Sequence, residues 1–568
     1  MNIFTYTPEE LLGTVDSVDT STAVVKVEKE DMLKGLQVNN LVAINSPRPG
    51  QHLIGLISKI IRQASFMDAN LFLEDNKANS IIKVVLIGTF FDQEGDKENV
   101  FRRSLSTVPT IKAECYLITG ERLRKFIETV SDVSEDKEKT CLQIGKYTID
   151  EGAVAWINGN KLFQRHAVIV GSTGSGKSWC VARILEQVAT LKSADAILFD
   201  IHGEYKPLAG EGFTQLKVAG PNDGIDNQIL YLPYWLLSYE EMLTFLLGKS
   251  DVSAPNLAAV LGELVIGGKK EYLEDLNKKK MMESITLDSP IPYKLDDLIT
   301  SLKKKDGEML EGANNREKQG PNHGKLTRFI NRLNVKKTDK RLNFMFSDNE
   351  ELLEYDYMEK LCSQLMLPSG KETGGVKVID FSEVPSDILP LVVSLIARVV
   401  FSVQQWTKES QRHPIAILCD EAHLYLPANP GSSVEAASAE TFERIAKEGR
   451  KYGVSLVVIS QRPSEVSHTI LSQSNNFIAM RLTNAEDQAV VKRLLPDNLN
   501  DYADMLPILD VGEALVVGDA NPFPSRIKIT APTLKPNSAT IDFWTKWDSD
   551  SKKVNIGSAI ESLRKQSK

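Results

Sequence analysis

The octapeptide GSTGSGKS, Gly171 to Ser178, stands between four apolar residues, Ala167 to Val170, and a run in which Trp179, Ile184, Leu185 and Val188 recur at helical spacing. It fits the pattern GxxxxGK[ST] through Gly171, Gly176, Lys177 and Ser178. The stretch reads as strand, loop and helix. A triphosphate needs several donors converging on one point, and successive N–H groups of such a loop at a helix N-terminus supply them together with the positive end of the helix dipole. The loop residues expected to cradle phosphate are Gly171, Ser172, Thr173, Gly174, Ser175 and Gly176. Gly174 and Gly176 let the backbone come close, Lys177 reaches the β- and γ-phosphates, and the Ser178 hydroxyl ligates Mg2+.

Three further segments bear on what is done with that phosphate. In IAILCDEAH, Ile415 to His423, an apolar strand ends in two adjacent carboxylates. Asp420 is placed to hold Mg2+ through water and Glu421 to polarise an attacking water, a division of labour that hydrolysis needs. In EGRKYGVSLVVISQRPSEV, Glu448 to Val466, a helix end, a Gly453 turn and a buried strand lead to Gln461. An amide at a strand's C-terminal edge can touch both the γ-phosphate and the water, as a sensor; the plainer reading is a turn residue. Arg450 has two readings, a donor to phosphate across a subunit boundary or a surface partner of Glu443 or Glu448. In LFDIHGEYK, Leu198 to Lys206, Asp200, His202 and Glu204 alternate beyond a strand edge. A metal site is one reading, and a polar segment shaping the nucleotide pocket or coupling it to the next subunit is the preferred one.

The elements that must position these residues follow from pattern. From about 145 onward, apolar runs alternate with helical patterns, which implies parallel βα units. The expected strands are Ala167–Val170, Ala196–Asp200, Val376–Asp380, Ile415–Asp420, Val454–Ser460, Phe477–Leu482 and Ala514–Val517. Between about 220 and 370 the chain is more helical and charged, as an insertion would be. Residues 1 to about 130 hold short alternating segments, Gly13 to Val27, Leu41 to Ser46, His52 to Ile60 and Ile81 to Phe90, as in a small β-barrel or sandwich. The polar segment SDVSEDKEKT, Ser131 to Thr140, is the expected boundary. The domains are thus a barrel over 1–135, a motor over 145–545 and a polar tail over 546–568.

Length and composition are those of an ordinary multidomain globular protein: 568 residues, 42% hydrophobic, 25% charged. No charged-then-apolar leader follows Met1, and the longest apolar run, Ile388 to Val403, carries Arg398 and reads as a buried helix, so no membrane segment is expected. Cys115, Cys141, Cys180, Cys362 and Cys419 show no CxxC spacing, which points to a reducing cytoplasm rather than a disulfide framework or zinc site. A net charge of −9 argues against a wholly basic nucleic-acid binder but leaves room for a local basic surface. Positive charge gathers at Lys269-Lys270, Lys278-Lys279-Lys280, Lys303-Lys304-Lys305, Lys336-Lys337 and Lys340-Arg341. With acidic residues interleaved, these also fit solvated helix faces.

With GSTGSGKS, DIHGEY, DEAH and GRKYGVSLVVISQRP in this order, the chain resembles the HerA branch of the HerA/FtsK superfamily of ring ATPases. The resemblance covers most of the chain, the strand-rich first ~130 residues being similar to that family's HAS-barrel and PSRIKITAP, Pro524 to Pro532, to its closing segment. It implies an α/β fold in which a RecA-like P-loop motor domain, with a mainly parallel sheet and a helical insertion, follows a small N-terminal β-barrel. It implies ATP and Mg2+ as cofactors, Lys177 and Ser178 as phosphate and metal ligands, Asp420 and Glu421 as metal and water carboxylates, Gln461 as sensor, and Arg450 as a finger reaching a neighbour's ATP. The implied partners are double-stranded DNA, further copies of the chain in a homo-oligomer expected as a hexamer, and a separate nuclease of the NurA type or a sirtuin-like effector in anti-phage defence. The alternative is a nucleotide-gated scaffold that assembles and switches an effector.

Overall fold

The computed structural model describes residues 3–28, 30–63, 79–130, 141–246, 255–311, 317–367, 375–496, 499–538, 542–548 and 556–565. The expected boundary at 131–140 and part of the expected tail lie outside these residues. The described chain divides into two compact units, one comprising Met1–Ile184, Ile459–Ser464 and Leu471–Thr533, the other Leu185–Val458, Glu465–Ile470 and Leu534–Lys568.

The first unit opens with alternating strands β1 (Leu11–Val18), β2 (Thr22–Val27), β3 (Leu41–Asn45), β4 (Gln51–Gln63), β5 (Asn79–Glu94), β6 (Lys97–Arg102) and β7 (Glu114–Ile118). In the order β2-β1-β7-β3-β4-β5 they close on themselves through a β2–β5 pairing, with β6 added outside β5. Closure leaves no free edge among the six and turns one side of each strand inward, so Val15, Val25, Ile44 and Ile57 fill the barrel. The run from Gly13 to Val27 divides into β1 and β2 because the Asp19 carboxylate accepts the N–H groups of Ser21 and Thr22, at 2.9 and 2.8 Å, and closes a turn.

Downstream come the hairpin β8 (Cys141–Tyr147) and β9 (Asp150–Asn158), then β10 (Ala167–Val170), which leads into the glycine loop. In the second unit, β11 (Asp195–Asp200), β12 (Phe213–Val218) and β13 (Ile229–Leu230) precede a helical stretch broken by the small hairpin β14 (Met309–Glu311) and β15 (Glu317–Gln319). The main helices of that stretch are Tyr239–Leu246, Pro255–Asp275, Leu295–Asp306, Thr327–Thr338 and Tyr357–Met366. Then follow β16 (Gly375–Asp380), β17 (Ile415–Cys419) and β18 (Val454–Ser460). β12 pairs with β13 and β16, β16 with β11, β11 with β17 and β17 with β18, all parallel. Parallel strands covered on both faces read as continuous apolar runs, and β11, β17 and β18 are buried at every position.

The first unit is completed by β19 (Asn476–Met480), parallel to β10, and by β20 (Glu513–Gly518) and β21 (Ser525–Ile529), which continue antiparallel to β8 and β9. The sheet elements are therefore mainly parallel but mixed, and β8, β9, β12 and β21 are strands the apolar-run pattern passed over. Arg103 from the barrel donates to the carbonyls of Gly518, Asn521 and Pro522 in the β20–β21 turn, within the same unit.

Three helices matter for the site: α1 (Lys177–Val188), α2 (Leu389–Trp406) and α3 (Ser433–Tyr452). Cys180, Val181, Ala182, Ile184, Leu185 and Val188 are the buried apolar positions of α1. Trp179, expected on that face, is instead 37% exposed, because the buried stripe starts one residue later. The longest apolar run forms α2, which is long and apolar enough to cross a bilayer but is 72% buried within the protein, and its Arg398 pairs with Glu241 at 2.7 Å.

Candidate functional site

The glycine loop is built by its neighbours in the first unit. Gly171 N–H donates to Ser460 O at 3.3 Å, which ties the loop's start to the end of β18. Ser172 donates both its N–H and its hydroxyl to Arg481 O, at 2.9 and 2.8 Å, just past β19. Ser175 N–H donates to Ser172 O, and Gly512 N–H donates to Ser175 O at 2.8 Å. The glycines are required by space and by conformation. A Cβ on Gly171 would meet Ser175 Oγ at 2.4 Å and Met480 Cβ at 2.9 Å. Gly176, at φ +104°, has Met480 Cε and the Gly512 backbone within 3.3 Å of where a Cβ would stand. Gly174, at φ +74°, faces open space. Helix α1 starts at Lys177, so the positive end of its dipole lies at the loop, and Lys177 is buried. A cradle of this form, lined by backbone donors and a cation and shaped so that side chains are excluded, fits a phosphate group.

Gln461 follows β18 directly, and Thr173 Oγ1 donates to its Oε1 at 2.5 Å. Lys177, Ser178, the loop glycines and Gln461 are thus brought together within the first unit.

The carboxylates belong to the second unit. Both Asp420 and Glu421 are buried, 2% and 3% exposed, at the end of β17. Glu421 has φ 45° and ψ 44°, a left-handed conformation that costs a residue with a side chain roughly 1–2 kcal/mol. Such strain is retained where it aims a side chain. Here it turns the chain from β17 into a short helical turn, and the Tyr425 hydroxyl donates to Asp420 O at 2.9 Å to hold that turn. His423 Nδ1 lies 3.4 Å from Glu421 Oε2. Two buried carboxylates are hard oxygen donors of the kind that suit Mg2+.

Arg450 lies in the last turn of α3, a helix capped at its start by the Ser432 side chain and ended by Gly453 at φ 74°. It is exposed, and among the described residues neither Glu443 nor Glu448, its partners on the plainer reading, pairs with it. Glu443 is taken by Lys447 at 3.4 Å and by the Ser467 hydroxyl at 2.8 Å, while Glu448 is taken by Arg444 at 3.8 Å.

Asp200, His202 and Glu204 do not form a common donor set. The fully buried Asp200 carboxylate accepts the N–H groups of Glu204 and Tyr205, at 3.0 and 2.8 Å, and so closes the loop that follows β11. Burial pushes its ionisation up to about 6, the Asp380 charge adding to the rise and the backbone donors opposing it. His202 is exposed, and Asn537 N–H donates to Glu204 O at 2.7 Å.

Each basic cluster but one, Lys278 to Lys280, has one member held by a carbonyl or a carboxylate. Lys269 is 2% exposed and donates to the carbonyls of Leu287 and Ser289, at 2.6 and 2.7 Å, and burial lowers its ionisation to about 8. Lys305 pairs with Glu263, Lys337 with Asp296 and Arg341 with Asp339, all within 3 Å.

Strand, glycine loop, buried lysine and helix together define a P-loop ATPase. The family model of the central domain of the helicase HerA matches residues 142–400. That match includes the loop and ends before Asp420. The chain is 25% identical over 373 residues to the DNA double-strand break repair helicase HerA of Saccharolobus solfataricus, covering 65% of this chain and 64% of that protein. It is 26% identical over 495 residues to its namesake in Sulfolobus acidocaldarius, covering 84% and 86%. Among solved structures, VirB4 of Thermoanaerobacter pseudethanolicus is similar with a TM-score of 0.44 at 17% identity, over 70% of this chain and 98% of that one.

Proposed function

We propose that this chain is an ATP-driven motor that moves along or unwinds double-stranded DNA as a ring of identical subunits, expected as a hexamer. The observation that carries the reading is the clamped glycine loop, whose backbone geometry excludes side chains and whose Lys177 is buried at the start of α1. Similarity to helicases of DNA double-strand break repair supports DNA as the substrate.

On this reading the loop from Gly171 to Gly176 and Lys177 hold the triphosphate, and Ser178 and Asp420 hold Mg2+, which when bound neutralises charge developing on the phosphates. Glu421 orients and polarises the attacking water, and Gln461 reports the state of the terminal phosphate. Arg450 is the finger supplied to a neighbour. The barrel, read as residues 1–135, is the docking surface for a separate nuclease or sirtuin-like effector, in end processing or anti-phage defence within the cytoplasm.

A second reading, a nucleotide-gated scaffold that switches an effector, is favoured by one observation. Lys269, Lys305, Lys337 and Arg341 are already held by carbonyls or carboxylates, which leaves less positive surface for duplex DNA on a chain of net charge −9.

Steady-state ATP hydrolysis with and without linear duplex DNA, at two salt concentrations, separates the two. Stimulation by DNA that fades with salt is expected for a motor gripping the phosphate backbone. A rate indifferent to DNA, with assembly dependent on ATP, sinks the motor reading and leaves the scaffold.

A further inference from the structure

The pattern GxxxxGK[ST] leaves position 173 open, yet the residue there makes a specific contact with one 288 positions away. Thr173 is exposed at the crest of the loop, and its hydroxyl donates to Gln461 Oε1 at 2.5 Å. The hydroxyl meets the oxygen end of the amide, at the short end of the range for O–H···O. With this contact made, the amide keeps its oxygen on the Thr173 side.

The orientation has chemical consequences. A glutamine amide has an acceptor end and a donor end, while a terminal phosphate offers acceptors only. With its oxygen held by Thr173, the amide turns its NH2 end away from that hydroxyl. The main chain around it is fixed independently, since Ser460 O accepts Gly171 N–H and Ser460 Oγ accepts Arg462 N–H at 3.0 Å. Rotation of the side chain is then the freedom left to control. The loop's own shape does not need the hydroxyl, because Ser172, Ser175 and Gly512 make the bonds that hold it.

We infer that Thr173 is a positioning residue for the sensor, its hydroxyl fixing the Gln461 amide with the donor end toward the terminal phosphate of ATP. The inference rests on the reading of Gln461 as sensor. Thr173 acts through Gln461 and has no direct part in the reaction.

The test uses the full-length protein and four variants, Thr173→Val, Thr173→Ser, Gln461→Ala and the Val/Ala double, with kcat, KM for ATP and equilibrium affinity for a non-hydrolysable ATP analogue measured for each. Because Thr173 is exposed, valine, which matches its shape, is expected to leave the melting temperature unchanged. Thr173→Val should lower kcat about tenfold while KM and analogue affinity stay within about twofold, and Thr173→Ser should restore kcat. In the Gln461→Ala background, Thr173→Val should cost nothing more, since residues acting as one unit are not additive. A full extra loss in the double variant, an unchanged kcat in Thr173→Val, or a loss confined to KM and analogue affinity overturns the inference and leaves the sensor reading standing. An unchanged kcat in Gln461→Ala removes the sensor itself, and the inference falls with it.

Discussion

At the residue scale, the arrangement separates groups that bind from a group that acts. On the proposed reading, Lys177 and the glycine loop hold phosphate. Glu421 is different, since it is kept buried in a left-handed conformation at the end of β17. Glu421→Gln keeps the shape and removes the carboxylate proposed to polarise the water, so this variant is expected to bind the ATP analogue with unchanged affinity while its turnover falls at least about a hundredfold. Lys177→Ala should lose analogue binding as well. Full turnover in Glu421→Gln would assign the water to another group. The loop was legible in the sequence because its chemistry lies in eight consecutive residues with fixed φ requirements. The Thr173–Gln461 contact was not, because neither residue type nor local spacing encodes a partner 288 positions away.

At the scale of elements, apolar runs located the buried parallel strands well because both faces of such strands are covered. β12 was missed since its buried positions are interrupted by Thr214, Gln215 and Lys217. Charge patterning misled at Lys269, whose neighbours suggest a wet helix face although the loop from Leu287 to Ser289 folds over it and offers two carbonyls. The DIHGEY segment reads in sequence as shaping the nucleotide pocket or coupling it to the next subunit, and within it Asp200 places both carboxylate oxygens on its own loop. This has a pH signature. The Asp200 ionisation is raised to about 6 from an ordinary value near 4, so the native state takes up a proton that the unfolded chain does not. Its stabilisation is complete below about pH 4 and is lost as pH rises through about 6. Asp200→Asn cannot ionise and sacrifices one acceptor at every pH. Relative to the parent, the variant should therefore fare better at pH 7.5 than at pH 4 by roughly 2 kcal/mol, read from urea unfolding at both values. An equal difference at the two pH values would show that the carboxyl titrates normally.

At the scale of the whole molecule, the decisive question is whether one chain completes its own catalytic set. Arg450 is carried on the last turn of a twenty-residue helix capped at both ends, so its position is rigid. The acidic residues seven and two positions before it, Glu443 and Glu448, are already engaged with Lys447, Ser467 and Arg444, so among the described residues no carboxylate neutralises its guanidinium. A charge held out on a rigid support fits a group destined for another surface. If that surface is a neighbour's ATP, the defects of two inactive variants are complementary. Arg450→Ala retains a working loop but gives its neighbour no finger, and Lys177→Ala retains the finger but cannot use ATP. When the two are unfolded, mixed in equal amounts and reassembled, roughly a quarter of the subunit boundaries pair a working loop with a working finger, and ATP hydrolysis should return to that order, since such a finger contributes ~10³–10⁵ in rate. Mass spectrometry of the intact assemblies establishes that the rings are mixed. Mixed rings without recovered hydrolysis would show that Arg450 does not act on a neighbour, and would return it to the surface of its own subunit.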